Sequence, residues 1–217
     1  MDEPSLAQRD VLAAVDRYDA LGCSAVLDSL THRLPAEVLA TEVLAPLLHE
    51  AGDRWRRGQY TIVQEHLLSS AILRLLSAEL DRHNRQNDAS KPLVAFTTLS
   101  GDRHGMGALI AAVIAASHGV NALHLGADLP VEELVVLAKE VQLRAVALSI
   151  VAEPDVIDAL GQVRTLRARL PGEVEIWLGG IGSRRMDPTA LPVATSLIGP
   201  LTQYLEKLSA LTTSGDA

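Results

Sequence analysis

The chain has 217 residues, of which 48% are hydrophobic and 3% are aromatic, enough for one ordinary domain or two small ones. It carries 19 basic and 27 acidic residues, and the net charge of −8 argues against unaided binding to nucleic acid or to an anionic membrane. Its single cysteine, Cys23, excludes an internal disulfide and any metal site built from several cysteines.

The apolar stretches are too short to cross a membrane. The longest, Ala108–Ala116, falls well below the roughly 20 residues that a bilayer requires. The start of the chain, MDEPSLAQRD, lacks the basic segment and apolar run of a signal peptide. We therefore expect a soluble, cytoplasmic protein.

The first part of the chain, residues 1–84, predicts helices alone. Apolar residues recur at three- and four-residue spacing, Gly58 interrupts the pattern, and Thr61 with Gln64 has the spacing of a capping box. The predicted helices cover Leu6–Leu21, Ala25–Leu34, Pro35–Arg57 and Thr61–His83. Their short connections favour an antiparallel four-helix bundle.

A polar segment around residues 81–90 predicts a linker, which we place at 85–91, and beyond it apolar strands alternate with helices. The predicted strands are Leu93–Leu99, Ala122–Leu125, Ala145–Ile150, Glu175–Leu178 and Thr195–Ile198. The predicted helices are Met106–His118, Val131–Val141, Asp155–Leu170, Asp187–Leu191 and Leu201–Leu211. This pattern is typical of an α/β, Rossmann-like (flavodoxin-like) domain with a five-stranded parallel sheet, here over residues 92–213. We expect the tail TTSGDA to fray.

The loop after the first strand, residues 100–107, carries the most chemistry, because ligands of an open parallel sheet bind at the carboxyl ends of its strands. One hypothesis is a dinucleotide site, but Ile110 stands where the fingerprint needs a third glycine. A second is purely structural, with Asp102 as a helix N-cap and His104 as a bystander. A third is metal binding, since a carboxylate beside an imidazole fixes the tautomer of a metal-binding histidine. One histidine suits a metal that a macrocycle already holds.

The spacing Asp102-x-His104-x-x-Gly107 resembles the cobalamin-binding motif of corrinoid proteins. Two further motifs of that family follow at similar spacing, and the stretch from Leu125 to Pro130 also looks like the family. They are Ser149-Ile150-Val151, where the family has S-x-L, and Gly179-Gly180. Val151 in place of leucine is the one departure.

This resemblance implies that cobalamin binds with its own base displaced, His104 becoming the lower cobalt ligand and Asp102 its hydrogen-bond partner. The displaced nucleotide tail would enter a slot bounded by Ser149, with room left by two glycines that have no side chains. The cofactor-binding residues that it implies are Asp102, Arg103, His104, Gly105, Gly107, Ser149, Val151, Gly179 and Gly180, with His104 as the metal ligand.

The fourth predicted helix carries polar residues on its apolar face. A helical wheel places Ile62, Glu65, His66, Ser69, Leu73, Leu76 and Leu80 on one side. Burying Glu65 and His66 without partners would be unfavourable. This end of the bundle is therefore either a solvated helix end or a surface that faces a ligand. Trp55, ten residues before Glu65 and just before the Gly58 turn, is either a core residue or part of the same surface.

The arrangement of Trp55, Ile62, Glu65 and His66 resembles the upper-face cap of the CarH-type adenosylcobalamin photoreceptors. That resemblance implies that these side chains pack over the adenosyl group, that light cleaves the cobalt–carbon bond, and that the chain is a sensor rather than an enzyme. Photoreceptors of this type carry a DNA-binding module before the bundle, whereas this bundle starts almost at Met1, so we expect no direct DNA binding. Arg56 stands where some light sensors have a second cobalt-binding histidine, and a guanidinium cannot ligate cobalt.

The layout also resembles the stand-alone photocobilins, which implies a bilin such as biliverdin as a candidate second chromophore. Cys23 is then either a bilin attachment point or a small core residue. We expect a homo-oligomer, a dimer or tetramer, with a protein partner for its output. Two alternatives stay open: a methyl-carrying corrinoid protein of a methyltransferase system, and a cobalamin storage protein or metabolite sensor without light chemistry.

Overall fold

The computed structural model describes residues 2–153, 155 and 157–213. The chain divides into two compact units, residues 1–81 (the helical unit) and 82–217 (the sheet unit). The last helix of the helical unit runs across this division to Gln86, so the first residues of the predicted linker are helical.

The helical unit is built from four helical segments between residues 2 and 86, as the sequence predicts. They are α1 (Glu3–Asp16), α2 (Ala20–Leu30), a continuous stretch formed by α3 (Ala36–Val38), a π-helical turn (Leu39–Leu44) and α4 (Ala45–Arg56), and α5 (Ile62–Gln86). Their apolar faces meet in a core that includes Val11, Leu27, Leu44 and Leu68, none of which is accessible to solvent.

The break between α1 and α2 was wrongly placed by the sequence pattern, which predicts one helix through Leu21. Tyr18 adopts a left-handed backbone with φ of +58° and interrupts the first helix. Asp19 then starts the second, because its carboxylate accepts a hydrogen bond from Gly22 N at 2.8 Å. The apolar spacing continues across this break, so periodicity alone does not reveal it.

The connection between α4 and α5 follows the predicted signals. Gly58 has a φ of +70°, and Gln59 N donates to Arg54 O at 2.8 Å, which ends α4. Thr61 N donates to Gln64 Oε1 at 3.0 Å, and Gln64 N donates to Thr61 Oγ1 at 3.3 Å, so the predicted capping box starts α5.

The sheet unit contains the predicted parallel sheet, with strands in the order β2-β1-β3-β4-β5. The strands are β1 (Leu93–Thr97), β2 (Asn121–His124), β3 (Leu143–Ser149), β4 (Glu175–Gly179) and β5 (Thr195–Leu197). The helices are α6 (Met106–Ser117), α7 (Val131–Glu140), α8 (Ala159–Arg169) and α9 (Leu201–Thr213). This is the doubly wound flavodoxin-like order, in which the direction of winding changes between β1 and β3.

Each face of the sheet is covered by a pair of helices. Residues of α7 and α8 form one core with alternate strand residues such as Val146, Leu148 and Ile176. On the other face, Tyr204 of α9 donates a hydrogen bond to Ala111 O of α6 at 2.7 Å. The loops after β1, β3 and β4 therefore meet at the carboxyl edge, where this fold binds ligands.

Several predicted helix boundaries in the sheet unit differ from the structure. The helix predicted at Asp155–Leu170 covers Ala159–Arg169 and follows a turn at Asp158, while Pro154 and Val156 lie outside the described residues. The helix predicted at Asp187–Leu191 is a short 3-10 turn, Pro188–Ala190. Of the predicted frayed tail, Thr212 and Thr213 are helical and the rest lies outside the described residues.

Among the described residues, no helix combines the length and the apolar character needed to cross a membrane.

Candidate cobalamin-binding site

Asp102 is the buried centre of the loop after β1, with none of its surface accessible to solvent. Its Oδ1 atom accepts from His104 N at 3.1 Å and lies 2.8 Å from His104 Nδ1. Its Oδ2 atom accepts from Val151 N at 2.7 Å and Ala152 N at 2.9 Å. One carboxylate thus connects the His104 loop to the loop after β3.

These hydrogen bonds keep Asp102 ionised. Burial by itself raises the pKa of a carboxyl group, but the bonds from the backbones of Ala152 and Val151 and from His104 outweigh it and hold the pKa of Asp102 below its ordinary value. A charged acceptor beside His104 Nδ1 favours the tautomer with the proton on that nitrogen.

The His104 ring has one nitrogen bound and one available. Its side chain is 66% exposed although its Asp102 partner is fully buried. With the proton on Nδ1, the Nε2 atom carries the lone pair that binds a metal. Within residues 2–153, 155 and 157–213, no three His, Cys, Asp or Glu side chains gather as a metal site.

Gly107 allows α6 to approach β3. A Cβ atom at this position would lie 2.6 Å from Ser149 Oγ, closer than real Cβ contacts. The third position of the Asp102 motif therefore needs glycine because the serine of the second motif lies against it. Gly105 is also tightly placed, since its Cβ would lie 3.1 Å from the Cβ of Ala127.

The two adjacent glycines at the end of β4, Gly179 and Gly180, differ in their surroundings. A Cβ on Gly180, whose φ is +89°, would lie 2.4 Å from Ile150 O, so its backbone conformation and the neighbouring chain both require glycine. A Cβ on Gly179 would meet only Ile198 O, at 4.0 Å. Gly179 pairs in register with Ser149. The space beside Gly179 is thus open, next to the serine that contacts the Gly107 position.

Several residues of this site were not identified from the sequence. His124, at the end of β2, has a buried Nε2 atom without a hydrogen-bond partner among the described residues. Burial lowers its pKa, against an opposing contribution from the Gly105 backbone. Asp128 and Gln162 hold the backbone just before Asp102, through Gly101 and Ser100. Asp128 lies within the Leu125–Pro130 stretch that resembles the corrinoid family, but no sequence pattern marks these contacts, which form only once separate loops meet.

A second set of predicted residues lies at one end of the helical unit. Trp55 ends α4 with 50% of its surface exposed, and Ile62 begins α5 with 56% exposed. His66 Nδ1 lies 2.6 Å from Glu65 Oε2. Large apolar side chains left exposed beside a polar pair are typical of a binding surface rather than a core.

The buried face of α5 is rotated from the predicted one. It consists of Gln64, Leu68, Ala71, Ile72, Leu75, Leu76 and Leu80. Leu73, predicted on the inward face, is 46% exposed, and His66 is exposed as well. The helix carries two neighbouring apolar stripes, and the one containing the capping-box residue Gln64 packs inward.

A hydrogen-bonded cluster holds the Trp55 end of the helical unit. Tyr60 donates from its hydroxyl to Asp16 Oδ1 at 2.9 Å and accepts from Arg54 Nη1 at 3.0 Å. Arg54 Nε also donates to Glu50 Oε1 at 2.7 Å. Burial, together with the bond to Asp16, raises the pKa of Tyr60 to about 12 despite Arg54, so its hydroxyl stays protonated. The chain on either side of Trp55 and Ile62 is thereby fixed.

Two further predicted residues have clear surroundings. Arg56 pairs with Asp53 on the same helix turn. Cys23 is fully buried, and burial raises the pKa of its thiol to about 11, so it behaves as a core residue rather than a reactive thiol.

Comparison with known proteins finds one family match, two similar proteins and a similar solved structure. Residues 7–78 match the family described as "B12 binding domain". The chain is 35% identical over 182 residues to the HTH-type transcriptional repressor CarH of Myxococcus xanthus, a match that covers 82% of this chain and 58% of the repressor. It therefore spans less than two thirds of that relative's length.

Two corrinoid proteins are also similar. The chain is 23% identical over 174 residues to trimethylamine corrinoid protein 1 of Methanosarcina mazei, covering 77% of this chain and 79% of that protein. Among solved structures, the monomethylamine corrinoid protein of Methanosarcina barkeri matches with a TM-score of 0.71 and 15% identity, over 95% of this chain and 99% of that one. The latter likeness shows the fold.

Proposed function

We propose that this chain is a B12-binding sensor of the CarH type that binds adenosylcobalamin and responds to light, a proposal that the family match and the similar repressor support. The observation that carries the cofactor assignment is the pair formed by buried Asp102 and exposed His104, in which one ring nitrogen is held and the other is free for a metal.

The residues at the carboxyl edge fit cobalamin. His104 supplies a single neutral nitrogen ligand, which suits a cobalt ion already held by a macrocycle. Asp102 orients that ring through a bond that is itself fixed by two backbone donors from the β3 loop. The orphaned Nε2 atom of His124 adds a buried polar group that a polar ligand can satisfy.

We place the nucleotide tail in the open space beside Gly179. Ser149 lies at the Gly107 position on one side, and the open space beside Gly179 lies on the other. Arg103, Gly105, Val151 and Gly180 complete the set by shaping the loops: Val151 through its backbone donor to Asp102, and Gly180 through the turn that only glycine adopts.

We propose that the upper ligand is contacted by four residues of the helical unit: Trp55, Ile62, Glu65 and His66. Trp55 and Ile62 offer exposed apolar surface, and the Glu65–His66 pair offers hydrogen-bonding groups. A ligand with a flat base and a ribose, such as an adenosyl group, presents matching surfaces. The 35% identity to a transcriptional repressor supports a regulatory, non-catalytic role over a metabolic one.

When bound, adenosylcobalamin supplies a cobalt–carbon bond that light breaks. The protein's part in the proposal is to bind the adenosyl group through Trp55 and to change its helical unit or its oligomeric state once that group leaves. The output passes to a second copy of the chain or to a protein partner. A bilin as second chromophore remains part of the proposal, with noncovalent binding because Cys23 is buried.

The first test is reconstitution with adenosylcobalamin in the dark, followed by green illumination, with absorption spectra and size-exclusion chromatography before and after. We expect binding in the dark, spectral conversion in the light and a change in elution. The His104→Ala variant is the matched control and should lose the spectral signature of histidine ligation. A wild-type protein that fails to bind any cobalamin contradicts the proposal, and photolysis that changes neither the helical unit nor the elution contradicts the sensor role. Biliverdin added to the same sample tests the second chromophore through new absorbance in the red.

A methyl-carrying corrinoid protein is the second candidate, favoured by the fold shared with the monomethylamine corrinoid protein. It differs in one measurable respect, the upper ligand. A carrier must expose its cobalt to a methyltransferase and should bind methylcobalamin as well as adenosylcobalamin, with no effect of Trp55→Ala on either. A sensor should prefer the adenosyl form and lose that preference with Trp55.

A further inference from the structure

Asp128 has an unusual relationship to the segment that ends in His104. It lies in the loop between β2 and α7, and its contacts reach three consecutive residues of the β1 loop. Its Oδ1 atom accepts from Gly101 N at 2.7 Å, its backbone N donates to Asp102 O at 3.1 Å, and its Oδ2 atom lies 3.7 Å from Arg103 Nε. These are the three residues directly before His104.

A buried hydroxyl completes the same cluster. Thr98 Oγ1 accepts from Asp128 N at 2.8 Å and donates to Asp102 O. Thr98 is fully buried at the end of β1. Backbone groups of the two loops are therefore joined directly and also through the Thr98 side chain, which is shielded from solvent.

The backbone of Asp128 is strained for a residue with a side chain. Its φ is +60°, a region that asparagine and aspartate tolerate better than other non-glycine residues, though less well than glycine. Strained residues persist where their surroundings hold them, and they concentrate at functional sites. Here the hydrogen bonds to Gly101, Thr98 and Asp102 hold the strained conformation.

The position of Asp128 in the sheet explains why it can act on His104. β1 lies between β2 and β3, so the His104 loop is flanked by the loops of both neighbours. Asp102 reaches the β3 loop through its carboxylate, and Asp128 reaches back from the β2 loop. The two anchors fix the loop from opposite sides, and His104 is the exposed residue that follows them.

We propose that Asp128 is a positioning residue for cobalt ligation: it fixes the backbone of Gly101–Arg103 so that the His104 ring is held ready for the metal. This inference rests on the proposed cobalamin binding. Asp128 does not touch the metal ligand. It acts through the chain, because metal ligation requires the donor atom to be placed within a fraction of an ångström.

Three substitutions separate the contributions of the side chain and the backbone. Asp128→Asn keeps an oxygen acceptor for Gly101 N and tolerates the positive φ. Asp128→Gly accepts the positive φ but loses the acceptor, and Asp128→Ala loses both. Asp187→Ala is the matched control, since Asp187 also holds a turn in the sheet unit, but through hydrogen bonds to Thr189.

The readout is histidine ligation itself. Protein labelled with nitrogen-15 is loaded with unlabelled cob(II)alamin, and the splitting of the cobalt EPR signal is recorded. A labelled histidine ligand gives a doublet, whereas the cofactor's own base gives a triplet. Affinity is measured in parallel by titration, and thermal unfolding of the unloaded protein checks the fold.

We expect the doublet in the wild type, Asp128→Asn and Asp187→Ala. Asp128→Gly and Asp128→Ala should lose part of the doublet, with affinity weakened by about tenfold, the lower range for residues that support a metal ligand. If Asp128→Ala does not fold, Asp128→Gly carries the test, because glycine relieves the backbone strain. Full doublets and unchanged affinity in Asp128→Gly overturn the positioning role. A wild-type protein without the doublet overturns instead the proposed histidine ligation.

Discussion

A Cβ atom added to Gly107 would lie 2.6 Å from Ser149 Oγ, so the first and second cofactor motifs are in direct contact. We predict that Gly107→Ala destabilises the sheet unit by about 1–3 kcal/mol, the usual range for an overpacked site. Ser149→Ala in the same chain should restore most of this loss, because the serine Cβ would lie at 3.7 Å from the new methyl group, an ordinary contact. Urea unfolding of the two single variants and the double variant measures the coupling.

Gly52 provides the matched control. It lies in α4, and an added Cβ would meet nothing within 4 Å. Gly52→Ala should leave stability unchanged or raise it by up to about 1 kcal/mol, because alanine is the better helix former. If Gly107→Ala lowers stability and the added Ser149→Ala does not restore it, the contact with Ser149 Oγ is not the cause of the loss.

The glycine pair at the end of β4 predicts very different losses of stability from the same substitution. Gly180→Ala places a Cβ 2.4 Å from Ile150 O at a φ of +89°, and it should cost about 3 kcal/mol of stability through clash and strain. Gly179→Ala meets only one atom at 4.0 Å and should change stability by less than about 0.5 kcal/mol. If the nucleotide tail uses the space beside Gly179, that stable variant should bind cobalamin more weakly.

Denaturant unfolding and cofactor titration of both variants test this pair. A Gly179→Ala protein with wild-type stability and wild-type affinity would place the tail elsewhere. A Gly180→Ala protein as stable as the wild type would contradict the structural role of that glycine.

The low pKa of Asp102 predicts a stability contribution that depends on pH. Because the folded-state pKa lies below the ordinary value of 3.8, ionised Asp102 contributes fully above that value, and its contribution is lost as the pH falls through the folded-state pKa. Asp102→Asn sets an amide N–H against a backbone donor in either orientation and should cost about 3 kcal/mol at neutral pH. The difference in the free energy of unfolding between the wild type and Asp102→Asn should become smaller below pH 3.8.

Unfolding free energies at neutral pH and at several values below 3.8 provide the measurement. If this difference in unfolding free energy stays constant over the range, a group other than Asp102 is responsible for the loss of stability in acid. His104→Ala, measured alongside, separates the contribution of the imidazole partner.

We expect substitution of the two tryptophans to have different effects: Trp177→Ala should mainly lower stability, and Trp55→Ala should mainly lower ligand affinity. Trp177 is buried on β4, where its Nε1 donates to Glu175 Oε2 at 2.8 Å, and Trp177→Ala should cost about 3–5 kcal/mol. Trp55 is half-exposed, and Trp55→Ala should cost about 1 kcal/mol or less. We expect Trp55→Ala to reduce the affinity for adenosylcobalamin by about tenfold and to leave the affinity for methylcobalamin unchanged. Equal losses for the two cobalamins would contradict the contact with the adenosyl group.

The sheet unit could be predicted from the sequence in most respects, and the helical unit less so. Buried parallel strands read as short apolar runs between turn residues, so all five were found within two residues of their ends. The Asp102–His104 pair was also predicted, because the two residues are close in the chain and their chemistry is complementary.

The remaining features depend on which loops meet. The backbone donors of Val151 and Ala152 to Asp102, and the contacts of Asp128, join segments far apart in sequence and use main-chain atoms, which no residue pattern marks. The inward face of α5 was mispredicted for a different reason: two apolar stripes lie side by side, and only the packing of the bundle selects the one with Gln64.

The π-helical turn at Leu39–Leu44 affects how the exposed surface around Trp55 can change among related proteins. A π turn accommodates an extra residue, and one residue rotates everything that follows by about 100° on an α-helix. The direction in which Trp55 leaves α4 is therefore set by the π turn, more than ten residues upstream in the same continuous helix. A chain with one residue fewer in this turn would turn a different side chain to the position that Trp55 occupies here, even if its tryptophan were retained. Changes in the length of this turn are thus a route by which related proteins can change which side chain lies at this end of the helical unit without substituting Trp55.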